Sequence, residues 1–394
     1  MKRLPINRIA IGLAILAALA PAAKAAPETV LYSFSNSGTG NPEGDLYFRN
    51  GSLYGTGAGD HQTADGQVFK LINKGGSWKA KTLVTFNGAN GSTPVAGLIR
   101  GSNGVLYGTT WAGGAYKGGS VFALTRSGGK WVEQTLWNFG GAGDGLQPEC
   151  DLVMDKSGNL YGTTYIGGAY NAGTVFELSN VNGVWTETVL LTFSGKASGW
   201  DAYGGLLMAG PETFFGTTQY GGDPGGDGTV FKLFKSGGVW KEKVLYAFTG
   251  GADGGEPLST LVRDKNGALY GTTEFGGAPD TGVAFMLSPS GGRWTETVLH
   301  VFDWENEAGY SPIAGLRWGP SGSLYGTTAR GAGTVFELTQ SGGVWAETIL
   351  HAFGGQGDGS YPVDRITLDK TGALYGTTEG GGKYNDGTVW KIMP

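Results

Sequence analysis

Apolar and polar side chains alternate over short runs along most of this chain, and glycine-rich stretches separate the runs. Val175-Phe176-Glu177-Leu178 and Trp185-Thr186-Glu187-Thr188-Val189-Leu190 are typical: β-branched and aromatic residues dominate and every second position is polar. That period of two predicts half-buried β-strands. After the first 25 residues no segment sustains a 3.6-residue period, so the pattern predicts an all-β protein.

The runs recur. Leu-Tyr-Gly-Thr-Thr or a close relative occurs seven times, with central glycines at 55, 108, 162, 216, 271, 326 and 376, so the steps are 53, 54, 54, 55, 55 and 50 residues. A constant period of this size marks a repeat architecture. Each unit follows one template: Pro-x-x-x-Leu, an Asp-x-x-Gly type of turn, Leu-Tyr-Gly-Thr-Thr, a glycine-rich loop, Gly-Thr-Val-Phe-x-Leu, Ser-Gly-Gly-x-Trp and Glu-Thr-x-Leu-x-x-Phe. Four short strands per unit and seven units predict a seven-bladed β-propeller, with an all-β solenoid as the competing repeat fold. The termini separate the two. Glu28 to Phe34 copies the fourth strand of the template, whereas the chain stops after the third strand, Gly387 to Ile392. Pairing these ends would close a ring and remove two exposed sheet edges. One closed domain over residues 26–394 is therefore expected.

Composition adds a compartment. Lys2, Arg3 and Arg8 precede an apolar run from Ile9 to Ala20 and then Ala23-Lys24-Ala25, the pattern of a secretory leader over residues 1–25. The run is too short to span a membrane. Loss of this leader would remove four positive charges and take the net charge from −5 to about −9. Such a balance argues against nucleic acid as a partner. The mature chain is expected to be a secreted or periplasmic monomer without a terminal anchor. The 76 glycines fall at fixed template positions and predict turns and bulges, not disorder. Cys150 is the sole cysteine, at a position held elsewhere by small residues, so it is expected to be an inert packed thiol.

With its recurrent Leu-Tyr-Gly-Thr-Thr, Gly-Thr-Val-Phe and Gly-Gly-x-Trp elements, the chain resembles the bacterial extracytoplasmic tandem-repeat proteins of the GloVer type, described as having a choice of anchor. The resemblance covers everything after the leader. It implies a secreted repeat protein with a propeller-like fold, and it carries over no catalytic residue.

Candidate chemistry must come from differences among the units. The loop leading into the first strand and the loop between the second and third strands share one face, and they vary most. Trp78, Trp131, Trp185, Trp240, Trp294 and Trp345 share one template position and are expected to pack between blades. His300 and His351 sit where other units carry Tyr32, Tyr246, Trp137 or Leu191, which predicts a structural role. Asn90-Gly91, Asp144-Gly145, Asp253-Gly254 and Asp358-Gly359 predict turns, with calcium binding as the alternative. No other cofactor or metal motif is present.

Units six, seven and one carry what remains. The loop between the second and third strands shrinks in unit six to Ala329-Arg330-Gly331-Ala332, beside an inserted Asp303-Trp304-Glu305-Asn306-Glu307. The residues after the proline position are Val363-Asp364-Arg365 in unit seven and Glu43-Gly44-Asp45 in unit one, and Asp60-His61, Glu379, Lys383 and Tyr384 lie nearby. Glu149 and Asp151 form an isolated pair across the ring. Trp304, Tyr310 and Tyr384 would offer flat faces to sugars, and Arg330 and Arg365 a planar fork to a carboxylate. This predicts a propeller that binds an acidic polysaccharide or cell-envelope glycan. Two alternatives stand beside it. One is a polysaccharide lyase or glycoside hydrolase using His61, Glu43, Asp45, Glu305 or Asp364. The other is a structural or protein-interaction propeller with no small ligand, its rim charges merely solvated.

Overall fold

The structure, a computed structural model, describes residues 28–35, 40–59, 65–223, 225–304, 309–331 and 333–394. The expected leader, Asp60, His61 and the Glu305 to Glu307 stretch lie outside them. Each alternating run forms a strand, and seven four-stranded antiparallel sheets stand in a ring as a seven-bladed propeller. Blade three is representative: from the channel outward its strands are Val153–Met154, Leu160–Thr164, Thr174–Val181 and Val184–Thr192. Among the described residues there is no helix long and apolar enough to cross a membrane.

The ring closes as the termini predict. Thr29–Ser33 pairs antiparallel with Thr388–Ile392, in a register running from Thr29↔Lys391 to Ser33↔Thr388, and so supplies the outermost strand of blade seven. The closing strand also carries the same internal bulge as its counterparts, between Val30 and Tyr32.

Blades are held together by aromatic pairs and by threonines. The phenylalanine ending each outer strand sits edge-on or tilted against the third-strand aromatic of the next blade, as in Phe34–Phe69, Phe139–Phe176 and Phe353–Trp390, with centroids 5.0, 5.0 and 5.9 Å apart. Such geometry adds about 0.5–1.5 kcal/mol per pair to the burial itself. The glycine of Leu-Tyr-Gly-Thr-Thr lies against this aromatic in its own blade. A Cβ there would come within 2.7 Å of the ring in blade three and 2.3 Å in blade seven. These seven glycines are in extended backbone and are required by close approach, not by the turns and bulges that their recurrence suggested.

The first threonine of the motif has a separate task. Its hydroxyl donates to the carbonyl of the second residue after the proline position in the following blade, at 2.8 Å for Thr56 to Ala96 and 3.4 Å for Thr327 to Asp364, with four further copies between. Only the seventh junction lacks it, since the buried Thr377 hydroxyl has no hydrogen-bond partner.

Candidate functional site at the central channel

The inner strands line a channel, and the three residues after each proline position form its upper wall. The first residue of each triplet faces the mouth, the second packs into its own blade, and the third lines the channel, which Arg365 alone of the seven crosses. Small side chains are needed at the second position because it packs on the blade's own motif. There the Cys150 thiol accepts the Thr163 N–H at 3.1 Å and donates to the Thr163 carbonyl at 3.4 Å. Burial pushes this thiol up to about 11, which agrees with an inert group. Asp364 takes the same position: it is 2% exposed and both its oxygens accept the Thr377 N–H at 3.0 Å. Burial, with Asp45 adding to it, holds its carboxyl well above the usual range. Asp364 is therefore a buried carboxyl held against its own blade by the Thr377 N–H.

The third position builds a crossbar. Arg365 lies 2.8 Å from Asp45 through Nη2, and its Nε and backbone N–H also donate to Asp45, at 2.9 and 2.8 Å. Its Nη2 reaches Asp151 on the far wall at 3.5 Å, while Asp151 accepts the Gly97 N–H at 2.6 Å. Burial and the neighbouring Asp45 push Asp151 up to about 7, with Arg365 opposing. Asp151 is thus not isolated, and the Arg365 guanidinium is already committed to two carboxylates. The crossbar divides the channel into an upper cavity of about 250 Å³ and a lower one of about 500 Å³.

Around the upper mouth run two further rings of variable residues. The residues before the proline position, Asn41, Thr93, Gln147, Asp201, Glu256, Ser311 and Tyr361, all adopt φ between 50° and 61°. Left-handed backbone costs a non-glycine residue roughly 1–2 kcal/mol. It persists because both backbone groups are used: the Glu256 N–H donates to the Asp227 carbonyl at 2.7 Å, and the Glu256 carbonyl accepts the Glu274 N–H at 3.0 Å. Glu274 belongs to the other ring, the residue after each Thr-Thr site, which also supplies Trp111, Tyr165, Gln219 and Glu379. The mouth is thus a rigid frame holding side chains chosen blade by blade.

Those side chains are acidic and aromatic. Burial, reinforced by the carboxylates of Glu379 and Glu149, pushes Glu43 up to about 8. Burial likewise pushes Glu149 up to about 7, with the Trp111 indole N–H holding it back, although neither group completes a hydrogen bond of standard geometry. Tyr203, 39% exposed between these carboxyls, has its phenol raised by burial and then by Glu149 and Glu43. Gln219 donates from Nε2 to Glu256 at 2.8 Å and to the Tyr220 hydroxyl at 2.9 Å.

Of the expected sector, Trp304, Tyr310 and Arg330 come together on the rim of blades five and six. Trp304 is 58% exposed and meets Tyr310 edge-on at 6.4 Å, while Tyr310 and Arg330 pair through their backbones. The Arg330 Nη2 lies 3.5 Å from Glu274. Tyr384 stands on blade seven under Lys383, at the loop position that Tyr116 and Tyr170 occupy in blades two and three. Glu43 is at the mouth and Asp45 in the crossbar. Glu149, expected only as half of a pair with Asp151, joins the mouth, together with Asp201, Glu256, Glu274, Trp111 and Tyr165, which the charge pattern of units six, seven and one does not point to. Their signal was available as variation at two fixed offsets, before the proline position and after Thr-Thr. The six template tryptophans pack half-buried between blades, as Trp185 does on Tyr107 and Trp345 on Tyr270. His300 and His351 lie in outer strands, edge-on to Phe302 and Phe353.

The family described as the Gloeobacter/Verrucomicrobia repeat matches residues 41–262 and 224–394. No curated protein matches the sequence. Solved structures share the fold at low identity. A chain of the mitotic checkpoint complex is 11% identical with a TM-score of 0.59, covering 99% of both chains. A puromycin-hydrolyzing peptidase of Mycobacterium tuberculosis is 12% identical with a TM-score of 0.56, over 93% of this chain and 54% of the peptidase. A surface component of the type-IX secretion system of Porphyromonas gingivalis is 13% identical with a TM-score of 0.55, over 92% of this chain and 48% of its own.

Proposed function

The chain belongs to the Gloeobacter/Verrucomicrobia repeat family, and we propose that it is an exported binding propeller that receives a neutral or amino-bearing saccharide at its upper mouth. One observation carries this reading. The three rings of the mouth hold six carboxylates, Glu43, Glu149, Asp201, Glu256, Glu274 and Glu379, and no lysine, arginine or histidine. Ionised carboxylates accept hydrogen bonds from hydroxyl and ammonium groups, protonated ones also donate, and Tyr203, Tyr165 and Trp111 supply flat apolar faces. A uronic acid would meet repulsion. The guanidiniums that suggested an acidic glycan are paired, Arg365 inside the channel and Arg330 with Glu274. Export rests on the leader pattern.

A second reading, a glycoside hydrolase, draws on Glu43, a carboxyl raised to about 8 beside other carboxylates and so suited to donating a proton. One screen separates them. Purified mature protein is passed over amino-bearing, neutral and uronic polysaccharides, and both retention and new reducing ends are measured. Retention on amino-bearing or neutral polymers without new ends supports the binding propeller, and new ends abolished by Glu43→Gln support the hydrolase. Retention on uronic polymers alone overturns both assignments.

A further inference from the structure

The outer seam between blades six and seven carries a cluster unlike its counterparts. Elsewhere an aspartate of the Asx-Gly turn accepts a hydrogen bond from an outer-strand side chain: Trp137 Nε1 donates to Asp144 at 3.2 Å and the Tyr246 hydroxyl to Asp253 at 2.9 Å. A glutamate of the next blade's outer strand approaches each aspartate, Glu187 near Asp144 and Glu296 near Asp253. At the closing seam the aspartate's partner is His351, whose Nε2 lies 3.0 Å from Asp358 Oδ2, and the glutamate is Glu28, immediately before the strand that closes the ring. One ligand atom from each of the three lies within 4.8 Å of the other two. The Glu28 Oε1 atom is buried without a hydrogen-bond partner among the described residues, as are Glu187 Oε1 and Glu296 Oε1 at the counterpart seams, so the imidazole is what sets this seam apart.

We propose that Glu28, His351 and Asp358 form a site for a divalent transition-metal cation, Zn²⁺ above all, that pins the ring-closing strand to the neighbouring blade. An imidazole and two carboxylates are the donor set for such a cation, whereas calcium takes oxygen ligands alone. Ligand atoms about 2.1 Å from a tetrahedral zinc stand about 3.4 Å apart, a separation that this group reaches by small side-chain adjustments. The other junctions are internal controls. Trp137 and Tyr246 offer no ring nitrogen lone pair. His300 faces Glu347 at 3.4 Å, and no third ligand completes that pair among the described residues.

The test is titration of the mature, metal-stripped protein with Zn²⁺ against a chromophoric chelator, alongside thermal unfolding. One equivalent should bind, and a concentration about 100-fold above Kd should raise the unfolding midpoint by about 3 °C. His351→Tyr, which installs the residue blade four uses to hold its own aspartate, should weaken zinc binding at least tenfold while keeping the fold, and Glu28→Gln should do the same. His300→Tyr should change nothing. If the parent takes up no zinc, or if His351→Tyr and Glu28→Gln bind it as the parent does, the site is overturned. Should His351→Tyr fail to fold, Glu28→Gln decides alone.

Discussion

The two ends of the central channel are built by the same seven strands and share almost no chemistry. Positions immediately after the proline site give the upper mouth Glu43, Glu149 and Tyr203, whereas four residues further on the lower cavity is walled by Ile99, Val153, Leu207 and Val262, with Arg100 and Arg317 as its charges below the crossbar. Burial, reinforced by Arg365, depresses the Arg317 guanidinium, the reverse of the push on the upper carboxyls. In a repeat every side chain not needed for packing is free to differ, so variation collects at fixed offsets and each offset becomes a ring. One ring is acidic and framed by strained backbone; the other is apolar. The upper one has the makings of a recognition surface.

The most drastic way to break this contrast is to open the ring. Removing residues 27–36 takes away the outer strand of blade seven and should cost the cooperative fold, because both mouths exist only in the closed ring. Unfolding of that deletion at the parent's midpoint would show that closure is dispensable.

Arg365→Ala is next in size. It leaves Asp45 and Asp151, each about one-fifth exposed, without their cation, so the loss should be large but below the roughly 3–5 kcal/mol that breaking a fully buried ion pair costs. Arg365→Met combined with Asp45→Asn and Asp151→Asn should recover most of the loss. Denaturant unfolding of the two variants reads the difference, and equal stability would mean that the crossbar is not what separates the cavities.

Much of this was legible in the sequence, and the part that was not has a physical reason. Strand alternation, the seven-fold period and the match of Glu28–Phe34 to the missing strand followed from local pattern. The motif glycines did not, because a close approach to Phe176 or Trp390 is a tertiary fact. Asp364 and Arg365 look alike as charges beside the proline, yet in the segment that leads into the inner strand Thr367–Leu368 the first is held against its own blade by the Thr377 N–H and the second spans the channel to Asp45 and Asp151. The Asp45–Arg365–Asp151 contact joins residues of three different units, which no single-unit comparison reveals.

A smaller effect distinguishes the upper carboxyls by pH. Glu43 and Glu149 have folded values of about 8 and 7 against an ordinary 4.5, so between those limits the folded state holds more protons than the unfolded one. Stability is fully expressed below about pH 4.5 for these groups and declines as pH rises towards 8. Glu28, Glu187, Glu242 and Glu296, each raised to about 7 chiefly by burial, act in the same direction. The unfolding midpoint should therefore fall from pH 5 to pH 8.5. Glu43→Gln should flatten the upper part of that slope, and a midpoint that climbs with pH would contradict the assignment.

The smallest expected effect is none. Lys265→Ala, in the tight Asp264 to Gly267 turn of the opposite face, should leave ligand affinity within twofold of the parent, and so should Arg317→Ala in the lower cavity. A loss at either would move the site away from the upper mouth.

If the upper carboxyls receive a cationic or hydroxyl-rich ligand, binding must move their protons. Calorimetric titration with oligomers of trimethylated glucosamine, whose cation does not titrate, at about pH 6.5 in buffers of different ionisation enthalpy decides the question. An ammonium group docking against Glu43 and Glu149 should expel their protons, so binding should release protons and strengthen as pH rises towards 7.5. Glu43→Gln and Glu149→Gln should each abolish part of that release and weaken binding about 10-fold to 150-fold, the loss expected for a charge-assisted contact of about 1.5–3 kcal/mol. Tighter binding of a uronic oligomer, or binding of the trimethylated oligomer without proton release and unaltered in both variants, would contradict the account.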